Sequence, residues 1–291
     1  MTPLTEQPPL LLPEPLFLEL LSGKVDIGNL PLSVVGVQPE TTNNINLCIN
    51  NLPSVDLVAK LLTIDKRQPQ VNIRLDSDIR EHLMDIDVIS KLPFNLNEAY
   101  ILTIENRDAV GKAPIHINAG NDEGVQHALF TLTQLINQYG SRLPAMVIRD
   151  MPVFANRGFL LDISRDRVPA MEQLLTLIDT LAFLKYNHLQ LYTEHTFAYK
   201  GHQKVWEHAS PISPAEMQSI DAHCRTRGIV LAANQACFTH MTRWLKHPSY
   251  AKLAETTSDW EWDGRNFSGP FSLNPGNPES IELVSDMLNQ L

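Results

Sequence analysis

The sequence predicts an α/β protein in which a small α+β domain precedes an incomplete (β/α)8 TIM barrel, made of the first three βα units. Mixed strand and helix patterns fill residues 45–150, whereas strands and helices alternate strictly after Arg157. The spacing between successive strands of that second part also suits crossover helices. We therefore divide the chain into an N-terminal extension over residues 1–44, the small domain over residues 45–150 and the incomplete barrel over residues 151–291.

Short alternating segments and one amphipathic helix predict the small domain. The stretches INLCIN, VNIRLD, AYILTIEN and PIHINAG alternate apolar and polar residues, as half-buried strands do. A helix is predicted where apolar residues recur on one face, and Gly140 stands at the expected left-handed cap. That face consists of Val125, Ala128, Leu129, Leu132, Leu135 and Ile136. The polar, proline-containing stretch RDMPVFANRG predicts a linker.

Three strand–helix pairs follow the linker. GFLLDIS is a continuous apolar strand of the kind found in parallel sheets covered on both faces, and HLQLY and IVLAANQ are the next strands. Pro169 opens the first helix, a capping box from Ser213 to Glu216 opens the second, and Asn277 with Pro278 opens the third. The predicted inner faces are Leu174, Leu177, Ile178, Leu181 and Leu184, then Met217, Ile220 and Cys224, then Ile281, Val284, Met287 and Leu288.

The turn after the first of these strands favours a barrel over a dinucleotide-binding sheet. A dinucleotide fold needs a glycine-rich GxGxxG turn there, and the sequence DISRDRVP contains no glycine. In a barrel, functional side chains lie at the carboxyl ends of the strands. Asp162, Ser164 and Arg165 therefore stand where the first strand meets the active face.

Composition and charge exclude several classes of protein. The chain has 291 residues, 43% hydrophobic residues and a formal charge of −10, which argues against nucleic-acid binding. Cys48, Cys224 and Cys237 are widely spaced and form no CxxC pair, so we expect a reducing compartment and no disulfide framework. The N-terminus lacks a basic signal region, and no run of 18 apolar residues predicts a membrane helix. We expect a cytoplasmic protein.

Four segments carry a resemblance that covers roughly residues 45–291, in this order: NEAYILTIEN, AGNDEGVQHALFTLTQLI, PAMVIRDMPVFANRGFLLDISRDR and TRGIVLAANQACFTHM. In these segments the sequence resembles glycoside hydrolase family 20, the β-N-acetylhexosaminidases. Its most specific part joins the small domain to the first barrel strand. The resemblance implies that residues 45–150 are the noncatalytic domain that accompanies the barrel in this family. The implied ligand is a carbohydrate with a terminal N-acetylhexosamine, with no nucleic acid or membrane partner.

The resemblance also implies a retaining hydrolysis in which the substrate supplies the nucleophile. The 2-acetamido oxygen attacks the anomeric carbon, a glutamic acid protonates the leaving oxygen, and a preceding aspartate orients the acetamido group. The family places this Asp-Glu pair after the fourth barrel strand, whereas only three βα units precede Leu291. We therefore expect the catalytic pair beyond Leu291, in a longer parent of which this chain is an N-terminal piece or a truncated product. We expect no cofactor.

The resemblance assigns substrate binding to Arg157, Glu194 and His240. Arg157 matches an arginine that donates hydrogen bonds to sugar hydroxyls, and its alternative role is an ion pair with an acid such as Asp150. His240 matches a histidine near the catalytic acid, and its alternative is a buried, satisfied histidine. Glu194 stands, with His195, where the family usually has two aspartates, and its alternative is a solvated loop acid.

Other residues depart from the family or carry alternatives of their own. Leu191 stands where a histidine is usual, and Asn234 and Ala236 stand where acids are usual. The departures at Glu194, Asn234 and Ala236 keep a catalytically silent carbohydrate-binding relative open as a second reading. Asp162 either binds substrate or holds Arg165 in place, and we expect the second role because paired charges at a strand end often only satisfy one another. The predicted loop that contains Trp260 and Trp262 offers either flat faces for sugar stacking or ordinary anchoring.

The histidines raise the question of a metal-dependent barrel hydrolase, which is the third reading. The candidates are His195, His202, His208 and His240. Such hydrolases usually begin with His-x-His at the end of strand one, and this chain has Asp162, Ile163 and Ser164 there. The sequence therefore predicts no metal site.

Overall fold

A computed structural model describes residues 8–28, 32–51, 62–64, 70–83, 96–105 and 113–291. The described chain forms two compact units. The first unit contains the described residues up to Arg157 together with Thr176–Tyr186. The second unit contains Gly158–Leu175 and Asn187–Leu291. Each unit is built around its own β-sheet.

The first unit contains a mixed sheet whose seven described strands follow the order β1-β7-β5-β6-β4-β2-β3. The β1–β7, β7–β5 and β5–β6 pairs are antiparallel, and the β6–β4, β4–β2 and β2–β3 pairs are parallel. Three of the four strands predicted for this domain are confirmed, namely β4, β5 and β6. The strands are β1 (Phe17–Asp26), β2 (Leu32–Val35), β3 (Leu62–Ile64), β4 (Val71–Leu75), β5 (Tyr100–Ile104), β6 (Ile115–Ala119) and β7 (Arg142–Asp150).

The fourth predicted strand, at residues 45–50, is wrong because these residues belong to helix α1 (Pro39–Asn50). Among the described side chains of this helix, Thr42, Ile45, Asn46 and Cys48 are buried at a helical spacing, whereas Leu47 is exposed. Asn46 is polar and buried, and its hydrogen bonds to the backbone of Leu62 satisfy its side chain. Its amide donates to the Leu62 carbonyl over 2.8 Å and accepts from the Leu62 N–H over 3.1 Å, which satisfies edge strand β3.

The small domain begins earlier than residue 45. Strands β1 and β2 lie within the stretch that we predicted as an N-terminal extension, and both pair within the sheet. Strand β1 runs antiparallel to β7, with Phe17 opposite Arg149 and Asp26 opposite Arg142. Because this partner lies at the other end of the unit in sequence, local patterns around residue 20 could not indicate the pairing.

The predicted amphipathic helix is confirmed as α3 (Asp122–Tyr139), and all of its predicted inner residues are buried. The Asn121 side chain accepts hydrogen bonds from the N–H groups of Glu123 and Gly124, and so caps the helix. Gly140 ends it with a φ of 65°, which glycine adopts without strain. The first unit also contains two shorter helical elements, α2 (Ile79–Leu83) and a 3-10 turn, Leu96–Glu98.

The second unit contains a parallel sheet in the order β10-β9-β8. Its strands are β8 (Gly158–Asp162), β9 (His188–Thr193) and β10 (Val230–Gln235). Phe159 and Leu231 both lie opposite Leu189, which fixes the register. The three predicted strands are confirmed. The predicted linker is shorter than expected at its start, since β7 continues to Asp150.

A long helix follows each of these strands, as predicted. The helices are α4 (Met171–Phe183), α6 (Pro214–Arg225) and α9 (Pro278–Gln290), with short helices α5 (Gln203–Trp206), α7 (Thr242–Leu245) and α8 (Pro248–Ala251) between them. The capping box is present, because the Ser213 hydroxyl accepts from the Glu216 N–H while the Glu216 carboxylate accepts from the Ser213 N–H. Asn277 caps α9 through the N–H of Glu279.

Several apolar residues of this unit are more exposed than the sequence predicts. Leu160 is 52% and Val230 62% exposed, because β8 and β10 are the edges of the described sheet. On α9 the buried face contains Leu283, Val284 and Met287, whereas Ile281 and Leu288 are exposed. The alternation of strands and helices is therefore confirmed as α/β, and an eight-stranded barrel stays a prediction.

Candidate functional site

The loops after two adjacent parallel strands bring Glu194 and His240 together. Glu194 directly follows β9, and His240 lies in the loop after β10. Nδ1 of His240 is 3.7 Å from Oε1 of Glu194. The Glu194 side chain is largely buried, whereas the His240 side chain is 44% exposed. An acceptor and an imidazole thus meet at the carboxyl edge of the sheet, with the imidazole open to solvent.

The backbone of Glu194 is held on both sides. Its N–H donates to the Ser164 hydroxyl over 2.8 Å, and that hydroxyl also bonds to the Thr196 hydroxyl over 2.8 Å. Its carbonyl accepts from the Gln235 amide over 3.1 Å and from the Trp244 indole over 2.7 Å. Because Trp244 is fully buried, these bonds fix the position from which the carboxylate projects.

Polar side chains of β9 and of the turn after β8 lie near the Glu194 carboxylate. The Tyr192 hydroxyl donates to Oε1 of Glu194 over 3.2 Å, and the Arg165 guanidinium lies 5.2 Å from the centre of the Tyr192 ring. Burial, and then the Glu194 charge, raise the pKa of Tyr192 to about 12. Tyr192 therefore remains a hydrogen-bond donor at neutral pH.

Asp162 organises the turn after β8. Its Oδ1 accepts from the N–H groups of Ser164 over 2.8 Å and Arg165 over 3.1 Å, and its Oδ2 accepts from Nε of Arg165. Burial would raise the pKa of Asp162, but these hydrogen bonds outweigh it and lower that pKa. The expected structural role of Asp162 in holding Arg165 is confirmed.

His195 differs from its neighbour Glu194. It is buried, and among the described residues Nδ1 has no hydrogen-bond partner. Burial, followed by the charges of Arg243 and Lys246, lowers the pKa of His195 to about 4. The imidazole is therefore neutral at physiological pH.

A polar ladder on the sheet was missed from the sequence. The Asn234 amide donates to Oε1 of Gln190 over 2.8 Å, and the Gln190 amide lies 3.1 Å from Nε2 of His188. His188, Gln190, Tyr192 and Glu194 share one face of β9 and its extension, since side chains alternate along a strand. The period-two polar pattern of HLQLYTE carried this signal, but we interpreted the segment only as a strand.

Arg157 belongs to the first unit and makes a dense set of contacts there. Its guanidinium forms a two-point ion pair with Glu98, with Nη1 3.2 Å from Oε2 and Nη2 bonded to Oε1. Nε donates to the Lys185 carbonyl over 2.6 Å, and Nη1 also donates to the Phe154 carbonyl over 2.7 Å. An ion pair was the alternative reading of Arg157, but Glu98 takes the place expected for Asp150. Sugar binding by Arg157 stays a prediction.

Asp150 instead pairs with a buried lysine. Nζ of Lys185 lies 2.8 Å from Oδ2 of Asp150 and donates to the Tyr100 hydroxyl over 3.0 Å. The Tyr100 hydroxyl also bonds to the Thr131 hydroxyl over 2.8 Å. Burial would lower the pKa of Lys185, but the oxygens of Tyr100 and Asp150 outweigh it and raise that pKa. The lysine is therefore charged and paired inside the first unit.

The two tryptophans of the SDWEWDG segment lie on a hairpin and not on a loop. Strands β11 (Trp260–Trp262) and β12 (Arg265–Phe267) pair antiparallel. Trp260 stacks on Phe267 with ring centres 4.5 Å apart and an interplanar angle of 14°. Trp262 is 67% exposed. Trp260 therefore anchors the hairpin, as one alternative stated, whereas Trp262 is open.

Three further observations concern the catalytic, metal and membrane predictions. Asp122 and Glu123 are the only adjacent Asp-Glu pair in the sequence, and they lie in the first turn of α3 in the first unit. Within the described ranges, no group of three or more His, Cys, Asp or Glu side chains could hold a metal ion. No helix in the same ranges combines the length and apolar character needed to cross a bilayer.

Comparisons with known proteins agree with this architecture. Residues 9–151 match the family model described as glycosyl hydrolase family 20, domain 2. A β-hexosaminidase of Vibrio furnissii is 36% identical over 104 residues, which is 35% of this chain and 16% of that protein. A β-hexosaminidase of Akkermansia muciniphila is 27% identical over 160 residues, which is 48% of this chain and 31% of that protein.

Solved structures extend the similarity to both units. Chitobiase from Flavobacterium johnsoniae aligns with a TM-score of 0.70 at 20% identity, over 97% of this chain and 42% of that one. An exo-β-N-acetylglucosaminidase from Vibrio harveyi, solved in complex with N-acetylglucosamine, aligns with a TM-score of 0.70 at 20% identity, over 96% and 44%. At this identity the likeness establishes the fold alone.

A mixed α+β unit followed by parallel βα units is the fold that this chain shares with these solved structures. Residues 9–151 match domain 2 of glycosyl hydrolase family 20, and the resemblance to this family read from the sequence is confirmed. The chain spans less than a third of each curated relative and less than half of these two solved chains.

Proposed function

We propose that this chain works in an enzyme that removes terminal β-linked N-acetylhexosamine from glycans, and that it contributes part of the site for the terminal sugar. The pairing of Glu194 with His240 carries this proposal, because it places a carboxylate and an imidazole at the carboxyl ends of parallel strands. The match to domain 2 of family 20 supports the glycosidase class, and the bound N-acetylglucosamine of the Vibrio harveyi protein supports the sugar.

The side chains at this edge suit a sugar ring. Glu194 can accept hydrogen bonds from hydroxyls, and Tyr192, His240 and Arg165 offer donors or acceptors around it. Buried, hydrogen-bonded carboxylates discriminate strongly in favour of ligands that supply donors. The family resemblance also assigns a sugar-binding role to Arg157 in the first unit, and this role stays a prediction.

The hydrolysis itself needs groups that we do not assign to this chain. In the proposed reaction the acetamido oxygen forms a bond to the anomeric carbon, the glycosidic bond breaks, and a glutamic acid protonates the departing oxygen. Water then opens the oxazolinium intermediate and restores the acetamido group with retained configuration. The only Asp-Glu pair of this sequence lies on α3, so we assign the catalytic pair to no residue of this chain and propose that the chain alone is inactive.

Sugar binding without hydrolysis is the second candidate function. The polar ladder supports it, because Asn234 and Gln190 are hydrogen-bonded to each other where the family usually has an acid at position 234. A titratable group is thereby replaced with an amide that can bind a ligand but cannot transfer a proton at neutral pH. We also propose a cytoplasmic location, in line with the three free cysteines, Cys48, Cys224 and Cys237.

Titration of N-acetylglucosamine into the purified chain, followed by calorimetry and by amide chemical shifts, tests the sugar site. We expect saturable binding with shifts clustered around Glu194 and His240. Glu194→Gln keeps the shape of the side chain but removes its charge, and should weaken binding by about tenfold, equivalent to about 1.4 kcal/mol. The matched control is Glu279→Gln, an exposed carboxylate of the same unit that pairs with Lys252. Equal binding by both variants would refute the assignment.

A further inference from the structure

An N-terminal segment, residues 8–16, contains no helix or strand, yet α3 holds it through two glutamines. Oε1 of Gln138 accepts from the Leu10 N–H over 2.9 Å, and Nε2 of Gln138 donates to the Leu10 carbonyl over 2.7 Å. Gln134 binds Leu12 in the same way, with both distances 2.8 Å. Each glutamine thus satisfies both backbone groups of one residue, as a neighbouring antiparallel strand does at alternate residues.

The spacing of these glutamines matches the spacing of an extended chain. Gln134 and Gln138 are four residues apart on α3, a rise of about 6 Å along an α-helix. Leu10 and Leu12 are two residues apart, which is about 6.6 Å in an extended chain. An extended segment that runs antiparallel to α3 therefore presents alternate residues to the two carboxamides in register.

The two glutamines bind the backbone of the segment at two residues, and one side chain is buried between them. Leu10 is 88% and Leu12 65% exposed, whereas Leu11 is 8% exposed. Sites for extended peptides divide recognition in this way, because main-chain hydrogen bonds supply affinity and a pocket for an alternate side chain supplies specificity. The side chains at the two outer positions are free to vary, so other sequences fit the same site.

The hold on the chain's own segment is limited. All four hydrogen bonds to the glutamines are exposed, and Leu11 is the only buried residue of 8–16, a segment that the structure describes in full. Further along, the Leu16 N–H donates to Oδ1 of Asp150 over 3.2 Å, which fixes the chain where β1 begins. Segments with few buried contacts and exposed hydrogen bonds open locally. Release of residues 8–15 therefore leaves the sheet of the first unit intact.

We propose that Gln134 and Gln138 form a binding site for an extended peptide of a partner protein, and that residues 10–12 occupy this site as a tethered competitor. The partner peptide has an apolar residue at the position of Leu11. Both neighbours of that residue carry a free N–H group, so neither of them is proline, which lacks this donor. The site lies within the first unit and serves protein recognition, so the inference goes beyond the proposed function and does not depend on it.

A labelled peptide with the sequence of residues 8–15, PPLLLPEP, tests the inference by fluorescence anisotropy on the full-length chain. In the unchanged chain the tethered segment competes at an effective concentration on the order of millimolar, so we expect weak binding. Leu11→Asp removes the buried anchor, and Leu10→Pro with Leu12→Pro removes both N–H donors, so each change should release the segment and speed its hydrogen exchange. We expect the peptide to bind each released chain about tenfold more tightly than the unchanged chain.

Further variants, made in the Leu11→Asp chain, separate backbone recognition from general adhesion. Gln134→Ala with Gln138→Ala should weaken peptide binding by about tenfold, because each carboxamide contributes two hydrogen bonds. Asn137→Ala, which removes an exposed carboxamide of the same helix, is the matched control and should change nothing. A peptide that is N-methylated at its first and third leucines keeps its side chains but lacks the two donors, and should not bind.

Each other result overturns the inference. Unchanged binding to the glutamine variants, or equal binding of the N-methylated peptide, would mean that the peptide adheres without this site. Absence of peptide binding by a released chain would show that the site serves only the chain's own segment. A segment that stays protected from exchange in both released variants would show that it is not displaced. Concentration-dependent dimers of the unchanged chain that Leu11→Asp abolishes would assign the site to a second copy and not to a partner.

Discussion

Nδ1 of His240 lies 3.7 Å from Oε1 of Glu194, although the two residues follow different strands. His240 reaches this position with a φ of 60°, in the left-handed region that non-glycine residues rarely adopt. Such a conformation costs free energy and persists where the surrounding structure enforces it, often at functional sites. The contacts of His240 with Phe271 and Tyr192 provide that enforcement.

Replacing His240 should impair ligand binding more than folding. We expect His240→Ala to weaken N-acetylglucosamine binding by about tenfold, and to lower kcat/KM by about tenfold in an active enzyme that contains this chain. His240→Asn is the matched variant, because asparagine tolerates a left-handed backbone while it removes the imidazole. A sharp loss of thermal stability with normal binding would show that His240 is only a packed core residue.

Arg157→Lys separates the structural role of Arg157 from its predicted sugar role. A lysine cannot reproduce the two-point ion pair with Glu98 and the bond to the Lys185 carbonyl together. Loss of such buried bonds should lower the free energy of unfolding by about 1–3 kcal/mol, as measured in urea. If Arg157 also binds sugar, the N-acetylglucosamine affinity of the folded variant falls about tenfold. An unchanged affinity would contradict the sugar role.

Lys185→Met should destabilise the chain strongly. The variant would leave the buried Asp150 carboxylate without its cation, and removal of one partner of a buried ion pair costs about 3–5 kcal/mol. Lys252→Met is the control, because the Lys252–Glu279 pair is mostly exposed and such pairs contribute about 0–1 kcal/mol. Urea unfolding of both variants gives the comparison. Equal destabilisation would mean that the Lys185 pair is not buried in solution.

The pKa of His195 makes stability depend on pH in a defined direction. In the unfolded chain the imidazole takes up a proton near pH 6.5, whereas the folded chain holds that pKa at about 4. The unfolded state therefore binds more protons between these values, so the free energy of unfolding falls as pH decreases from 6.5 to 4. The contribution of one group is at most about 1.4 kcal/mol per pH unit.

His195→Gln should flatten this dependence, as measured by urea unfolding at pH 7, 5.5 and 4.5. His127 and His247 also have lowered pKa values, chiefly because of burial, so part of the dependence remains in the variant. His208→Gln is the control, since this side chain is 93% exposed. An acid dependence of His195→Gln identical to that of the unchanged chain would contradict the assigned pKa.

Sequence reasoning identified the elements whose pattern is local. Helix α3 and the capping box of α6 carry their signals within a few residues, and both are present. The prediction of a strand at residues 45–50 was wrong because six residues of alternating apolar and polar character resemble a strand. Pro39, at the first helical position, indicated a helix that begins further upstream. A short window could not distinguish the two periods.

The contacts that define the candidate site depend on tertiary structure. Lys185 contacts Tyr100 and Asp150, which are distant from it in the sequence, and no spacing rule predicts such contacts. The Glu194–His240 pair was reached only through family resemblance, which named both residues without their distance. The polar face of β9 was readable in principle, because Gln190 and Tyr192 recur with the period of a strand.

The most direct test of the proposed function is incubation of the pure 291-residue chain with a chromogenic N-acetyl-β-glucosaminide. The proposed function gives this chain sugar-holding groups but no general acid and no aspartate that orients the acetamido group. It therefore predicts release of the chromophore at the background rate under conditions where N-acetylglucosamine binds. Clear turnover that Glu194→Gln abolishes would contradict it, because the catalytic acid would then lie within this chain.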